Sequence, residues 1–177
     1  VGNWRKSVAL ERNRERMIRL TQVAGKFATT LALKPVSAHL VDEAPFGETP
    51  AWSDSENIWF SAPNLGDVTD ENVVISTKGL TLHEISHIMW TPRSGSNLAK
   101  YVQKNGLFQA FNALEDMRIE MAMVTKFPTT VDWLTAMIAQ HLLAQPEQVP
   151  VSFPLIHGRK YLPKDIRKIV KESYTDQ

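Results

Sequence analysis

One stretch constrains this chain more than any other: Thr81-Leu82-His83-Glu84-Ile85-Ser86-His87-Ile88-Met89-Trp90. It sets His-Glu-x-x-His inside an apolar run. On a helix, residues four apart stand one turn above each other, about 6 Å along the axis. His83 and His87 therefore offer two imidazoles to one point, which can hold a tetrahedral zinc ion. Glu84 projects to the side of that edge, where it can reach a water on the metal without competing for the metal. Zinc lowers the pKa of such a water to about 7, and a carboxylate can take the proton as the water attacks a carbonyl. A packed, hydrogen-bonded histidine pair is the plainer reading of the same spacing. Two requirements separate the readings: a buried helix, and a third ligand downstream.

The helix reads as buried. Leu82, Ile85 and Met89 form an apolar stripe, Ile88 lies on another side, and Glu84 is the only Asp, Glu, Lys or Arg between residues 79 and 92. A helix apolar on most faces belongs in an interior, and an isolated carboxylate there calls for a cation. Thr91-Pro92 ends it, because the residue before a proline avoids the helical region. Ser76 or Thr77 suits the N-cap.

The chain is free of cysteine, so any metal site must be built from His, Asp and Glu. Its 177 residues, 43% apolar and 22% charged, suit a single soluble domain over 1–177. The expected division is an N-terminal helix 4–33, a core 36–145 and a C-terminal extension 146–177. A net charge of +1 gives no global pull toward nucleic acid or a membrane surface, so neither is expected as a partner. No apolar run reaches about 18 residues, and the N-terminus lacks a signal-type apolar segment. The expectation is a cytoplasmic protein of a bacterial or phage-infected cell. The missing initiator Met leaves room for an additional domain or partner beyond this chain.

Residues 4–33 show helical periodicity through Leu10, Met17, Leu20, Ala24, Phe27 and Leu31. The Arg-rich first half of that helix reads as a solvated face with intrahelical ion pairs. Residues 36–41 alternate as a strand, with His39 on a surface or sheet face. Residues 43–56 are rich in turn formers and read as a loop. Ile58, Trp59, Phe60 and Ser61 read as a second strand. Val73-Val74-Ile75 fits either a third strand or the start of the motif helix. A strand about twenty residues ahead of a metal helix can serve as an edge that pairs with an extended substrate backbone, and Ile58–Ser61 is the candidate. Residues 93–106 read as a loop or broken helix, with 97–103 helical.

A second strong helix runs from Leu107 to Val124 and is where a third ligand should lie. Glu115, Asp116 and Glu120 compete. At 100° per residue Glu115 shares a face with Phe108, Phe111, Ile119 and Ala122, whereas Asp116 and Glu120 share a polar side. A carboxylate among apolar neighbours needs a cation, so Glu115 is the preferred ligand and Asp116 the alternative. Arg118 and Asn112, three residues to either side of Glu115, can steer its oxygens. The plainer reading is a Glu115–Arg118 ion pair without metal.

Beyond it, a helix from Thr129 or Thr130 through Ala144 is nearly all apolar, with His141 as a packed or boundary residue. Pro146, Pro150 and Pro154 mark an extended linker over 145–154. His157 and Tyr161 are candidate donors to a developing oxyanion. Residues 163–172 read as a short basic amphipathic helix.

With His83-Glu84-x-x-His87 followed by Asn112-Ala-Leu-Glu115-Asp116-Met-Arg118-Ile-Glu120, the chain resembles the gluzincin branch of the zincin metallopeptidases over roughly residues 57–125. The Leu-Glu-Asp-x-Arg-Ile-Glu wording is more similar to metallopeptidases of bacteria and phages, some of which carry a von Willebrand A-type domain further on. The resemblance implies a zincin-like α+β fold, mainly helical, with a small N-terminal sheet and a buried motif helix. It also implies one zinc per chain at His83, His87 and Glu115, Glu84 as general base, and a protein or peptide substrate. The branch's usual Asp, a short helical interval after the ligand glutamate, is absent; Arg118 and Ile119 stand there. The expected activity is that of a zinc metalloendopeptidase. The alternative is a catalytically silent module of the same fold, a phage or assembly component with a stabilising metal.

Overall fold

A helix that is interior on most sides needs partners on most sides, and the rest of the fold supplies them. The computed structural model describes residues 2–45, 47–141 and 156–175. Along them run α1 (Gly2–Ala32), β1 (Ser37–Val41), β2 (Ala51–Ser53), β3 (Asn57–Ser61), α2 (Ala62–Leu65), α3 (Glu71–Trp90), α4 (Asn97–Lys104), α5 (Phe108–Lys126), a 3₁₀ turn (Pro128–Thr130), α6 (Val131–His141) and α7 (Lys164–Thr175). The architecture is α+β, mainly helical with one small sheet. No described helix is long and apolar enough to cross a membrane. The Pro-rich linker 145–154 lies outside the described residues.

The sheet has the order β1-β3-β2. β1 runs parallel to β3, pairing Ala38 with Ile58 and Leu40 with Phe60. β2 runs antiparallel to β3, pairing Trp52 with Trp59 and Ser53 with Ile58. Alternation along β3 sends Ile58 and Phe60 into the core and leaves Trp59 half-buried on the other face. There His39, Trp59 and Trp52 stack in a row across the three strands. Two expectations change here. Ile58–Ser61 is the central strand, not an edge, because both of its sides are hydrogen-bonded. Part of the loop expected over 43–56 is a strand, β2, too short for alternation to reveal it.

α1 packs along the core face of β1 through Met17, Ala24 and Ala28. Gly25 allows the close approach: a Cβ there would stand 3.2 Å from the Cβ of Ala38. The helix ends at Leu33, whose φ of 54° is a left-handed stop, and Pro35 follows.

α3 is the spine. It begins at Glu71, with the Asp70 carboxylate accepting from the Asn72 N–H as N-cap. Val73, Val74 and Ile75 are thus its first turns and not a strand, and the cap lies earlier than Ser76 or Thr77. Leu82 and Ile85 are fully buried, each worth roughly 1.5–3 kcal/mol of apolar transfer. α6 lies directly on α3 at Gly79, where any Cβ would overlap the Trp133 carbonyl. α5 crosses on another side, and Ile156 and Leu162 from the C-terminal segment complete the core. The motif helix is thereby held by α1, α5, α6 and β2.

Candidate metal centre

His83, Glu84 and His87 lie in the well-packed second half of α3, with the two imidazoles one above the other. Their rings stand 4.7 Å apart at 85°, and their Nε2 atoms face each other at 3.2 Å. The third group at this point is Asp116 of α5. Its Oδ1 lies 3.2 Å from Nε2 of His87 and 3.9 Å from Nε2 of His83. These three residues form the group, among the described residues, that can hold a metal ion, with all ligand atoms within 4.8 Å of one another.

Proton accounting shows what the group demands. His83 Nδ1 is 2.8 Å from Oε1 of Glu120, a residue with no solvent exposure. Burial opposes the charge on Glu120, but the hydrogen bond from His83 and the guanidinium of Arg159 hold its carboxyl down to about 2. An ionised carboxylate only accepts, so His83 Nδ1 carries a proton and donates it. His87 Nδ1 lies 2.8 Å from the Thr91 hydroxyl. That hydroxyl donates to the Glu115 carboxylate, so its oxygen accepts from His87 Nδ1–H. Each imidazole has committed its Nδ1 proton outward, which turns an Nε2 lone pair inward. Asp116 Oδ1 faces the same point, buried and without a hydrogen-bond partner. Two ring nitrogens and one carboxylate oxygen thus converge on one point.

Such a point requires positive charge. Burial disfavours a charged His83, yet the hydrogen bond and charge of Glu120, with Asp116 and Glu84, push it up to about 9. The same negative surroundings suit a divalent cation. The spacing suits one too: four ligands at about 2.1 Å in a tetrahedron stand about 3.4 Å from each other. The residues present therefore fit a metal with nitrogen and oxygen ligands.

Glu84 points toward β2. Its Oε2 accepts a 2.6 Å hydrogen bond from the Ser53 hydroxyl. The residue is 5% exposed, and its charge is felt at His83. The general-base candidate is thus held from the sheet, one residue along from a ligand.

Behind His83 the support is deep. Glu120 accepts from Arg159 at 2.5 Å and 2.9 Å, and from the Tyr161 hydroxyl at 2.7 Å. Burial works against the Arg159 charge, but the Glu120 carboxylate beside it raises its pKa further. Burial, and the proximity of the Glu120 charge, raise Tyr161 so that it keeps its proton.

Several sequence expectations are corrected by these contacts. Glu115 is buried as expected but does not join the imidazoles. It is turned to Arg118, at 2.6 Å and 2.8 Å, and Arg118 also donates to the Trp90 carbonyl at 2.8 Å. The carboxylate that joins the imidazoles in a group able to hold a metal is the alternative, Asp116, and not Glu115. The helical wheel failed because the buried face of α5 spans both Ile119 and Glu120, so burial alone did not separate the two carboxylates. Phe108 is 69% exposed and Glu120 fully buried, so the side taken as polar is the one turned to the histidines. Asn112 reaches toward Asp116 Oδ2 at 3.5 Å rather than toward Glu115. The Tyr161 hydroxyl donates its hydrogen bond to Glu120, which commits it away from an oxyanion. His157 is exposed near the start of the C-terminal segment.

Sequence reasoning missed Ser53, Thr91 and Arg159. Ser53 sat in an apparent loop and Thr91 read only as a helix stop. Arg159 has no spacing relation to anything it touches. Glu120 had a usable signal, since it lies one helical turn beyond Asp116. Comparison with protein-family models, with curated proteins and with solved structures returned no match.

Proposed function

We propose that this chain is a zinc-dependent metallopeptidase of gluzincin-like zincin type, with a peptide or protein substrate. One observation carries the reading: Nε2 of His83, Nε2 of His87 and Oδ1 of Asp116 converge on one point, while Glu84 is fixed beside it by Ser53. Nitrogen and carboxylate donors with this spacing favour zinc over calcium or magnesium, which take mostly oxygen. Zinc bound there would supply Lewis acidity, acidifying a water and polarising a scissile carbonyl.

The chain's own residues do the rest. His83 and His87 hold their rings through outward Nδ1 protons, so neither side chain is free to serve as the base. Glu84 is the carboxylate left for proton transfer: it takes the water's proton and returns it to the leaving amine. Such general acid–base help is worth on the order of 10²–10⁴ in rate. Ser53 orients the base and, by donating to one oxygen, leaves the other for the proton. Counted from Asp116, a carboxylate does stand one helical turn on, at Glu120, where it orients His83; the position seemed empty when counted from Glu115. β2 takes the role expected of Ile58–Ser61. It is an edge strand among the described residues and it carries Ser53, so an extended peptide added to its free side would lie near Glu84.

A structural metal site closes itself with four protein ligands, whereas a catalytic one keeps a position open. The cluster offers three protein donors among the described residues, which favours the hydrolase over the silent module. The decisive experiment is Glu84→Gln, read by elemental analysis and by cleavage of a fluorogenic peptide mixture. Zinc retained with cleavage lost is the expected result. Cleavage at the parental rate would remove Glu84 from the mechanism, and a zinc-loaded parent inert toward all peptides would support the silent module.

A further inference from the structure

On the α1 side of α3, away from the histidines, lies a half-open cavity of about 530 Å³, within the size range of small-molecule sites. Its walls are apolar: Leu20, Val23 and Phe27 from α1, Val68 from the segment before α3, Val74 from α3 and Trp133 from α6. Phe27 meets Trp133 edge-on at 6.5 Å. The close seat of α6 on Gly79 brings Trp133 up as a wall. The lining holds three cations, Arg16, Arg19 and Lys78, and no carboxylate. Arg16 lies in the field of exposed Asp67. Arg19 and Lys78 form no ion pair within 4 Å among the described residues. Lys78 is held instead over the Trp133 ring, 5.2 Å from its centroid.

Apolar walls with a rim of one sign define the occupant. An extended peptide needs partners for its backbone N–H and C=O groups, and these walls of side chains offer one hydroxyl. That hydroxyl, on Thr81, already donates to the Thr77 carbonyl at 2.8 Å. A slender chain with an apolar body and its polarity at one end matches apolar walls under a cationic rim. We infer that this cavity is a binding site for an amphiphilic anion, an aliphatic carboxylate of medium chain length. Its tail lies between Phe27, Val74 and Trp133, and its carboxylate meets Arg19 and Lys78. The site shares α3 with the metal centre but none of its residues.

The test titrates the whole chain with decanoate, decanol and decyltrimethylammonium, each below its micellar concentration, by calorimetry. Decanoate should bind about tenfold or more tightly than decanol, from the charge-assisted contacts, and the ammonium should not bind. Arg19→Glu combined with Lys78→Glu should erase the preference for decanoate over decanol. Val23→Trp, at a 65% exposed position on the rim, should weaken decanoate and decanol alike. Both variants alter exposed side chains, and unchanged circular dichroism would confirm their fold. Equal binding of the three amphiphiles would overturn the proposal, as would full decanoate affinity in either variant. So would decanoate-insensitive self-association of the chain that Val23→Trp abolishes, since the groove would then belong to a second copy.

Discussion

The two histidines of the centre are held by networks of opposite character. His83 leans on Glu120, which is fully buried and accepts from Arg159 and Tyr161. His87 leans on a hydroxyl, Thr91, whose partner Glu115 is paired with Arg118, a side chain 52% exposed. Both arrangements fix the same tautomer and aim the same nitrogen inward. The difference lies in what it costs to disturb them. A buried ion pair adds little net stability over an apolar packing but is expensive to break from one side. The Glu115–Arg118 pair is buried at its carboxylate and open to solvent at its guanidinium, so it is screened from one end. One imidazole is therefore locked by the core, and the other is tied to a chain of contacts that reaches the surface at Arg118.

Breaking the buried side should have the largest effect. Arg159→Met leaves Glu120 enclosed with one fewer cation and should cost about 3–5 kcal/mol of stability in urea unfolding. A loss below about 1 kcal/mol would mean that the two sides are alike after all. The ligand itself comes next. Asp116→Ala should lower zinc affinity by more than about 100-fold, whereas Glu115→Gln, which reaches His87 only through Thr91, should lower it by about tenfold, the low end for a group that supports a ligand. Competition with a chromogenic chelator separates the two, and a larger loss from Glu115→Gln would restore Glu115 as ligand.

A sharper comparison pairs Glu120→Gln with Thr91→Val. Each removes the partner of one imidazole Nδ1–H, and each should weaken zinc within the range of about 10–100-fold. The Glu120 variant should sit at the upper end, because its partner acts without an intermediary. The same chelator assay reads both. The smallest effect belongs to Arg118→Gln, which should change stability by about 1 kcal/mol or less. A larger loss in thermal unfolding would show that the outer pair carries the helix junction at Trp90.

How far the chain could be read depended on the range of each interaction. Contacts within one helix were legible. His83 and His87 had to share an edge because helix geometry relates residues four apart, and the apolar run around them required burial. The α+β content and the long first helix followed from periodicity in the same way. The choice between Glu115 and Asp116 was not local. Adjacent residues on a helix differ by 100° in direction, and only the seating of α5 against α3 decides which of them faces the histidines. Sequence pattern predicts the inward face from apolar residues, but here that face carries Asp116 and Glu120, because the groups they meet are imidazoles and Arg159. Likewise β3 and β2 could exchange the roles of edge and centre until the sheet order was known. The sequence by itself determined that one helix carries two imidazoles and a carboxylate into the interior. Only the tertiary structure decided which carboxylate joins them, what holds the His83 ring, and which strand borders the site, since those depend on elements brought together across about thirty residues of chain or more.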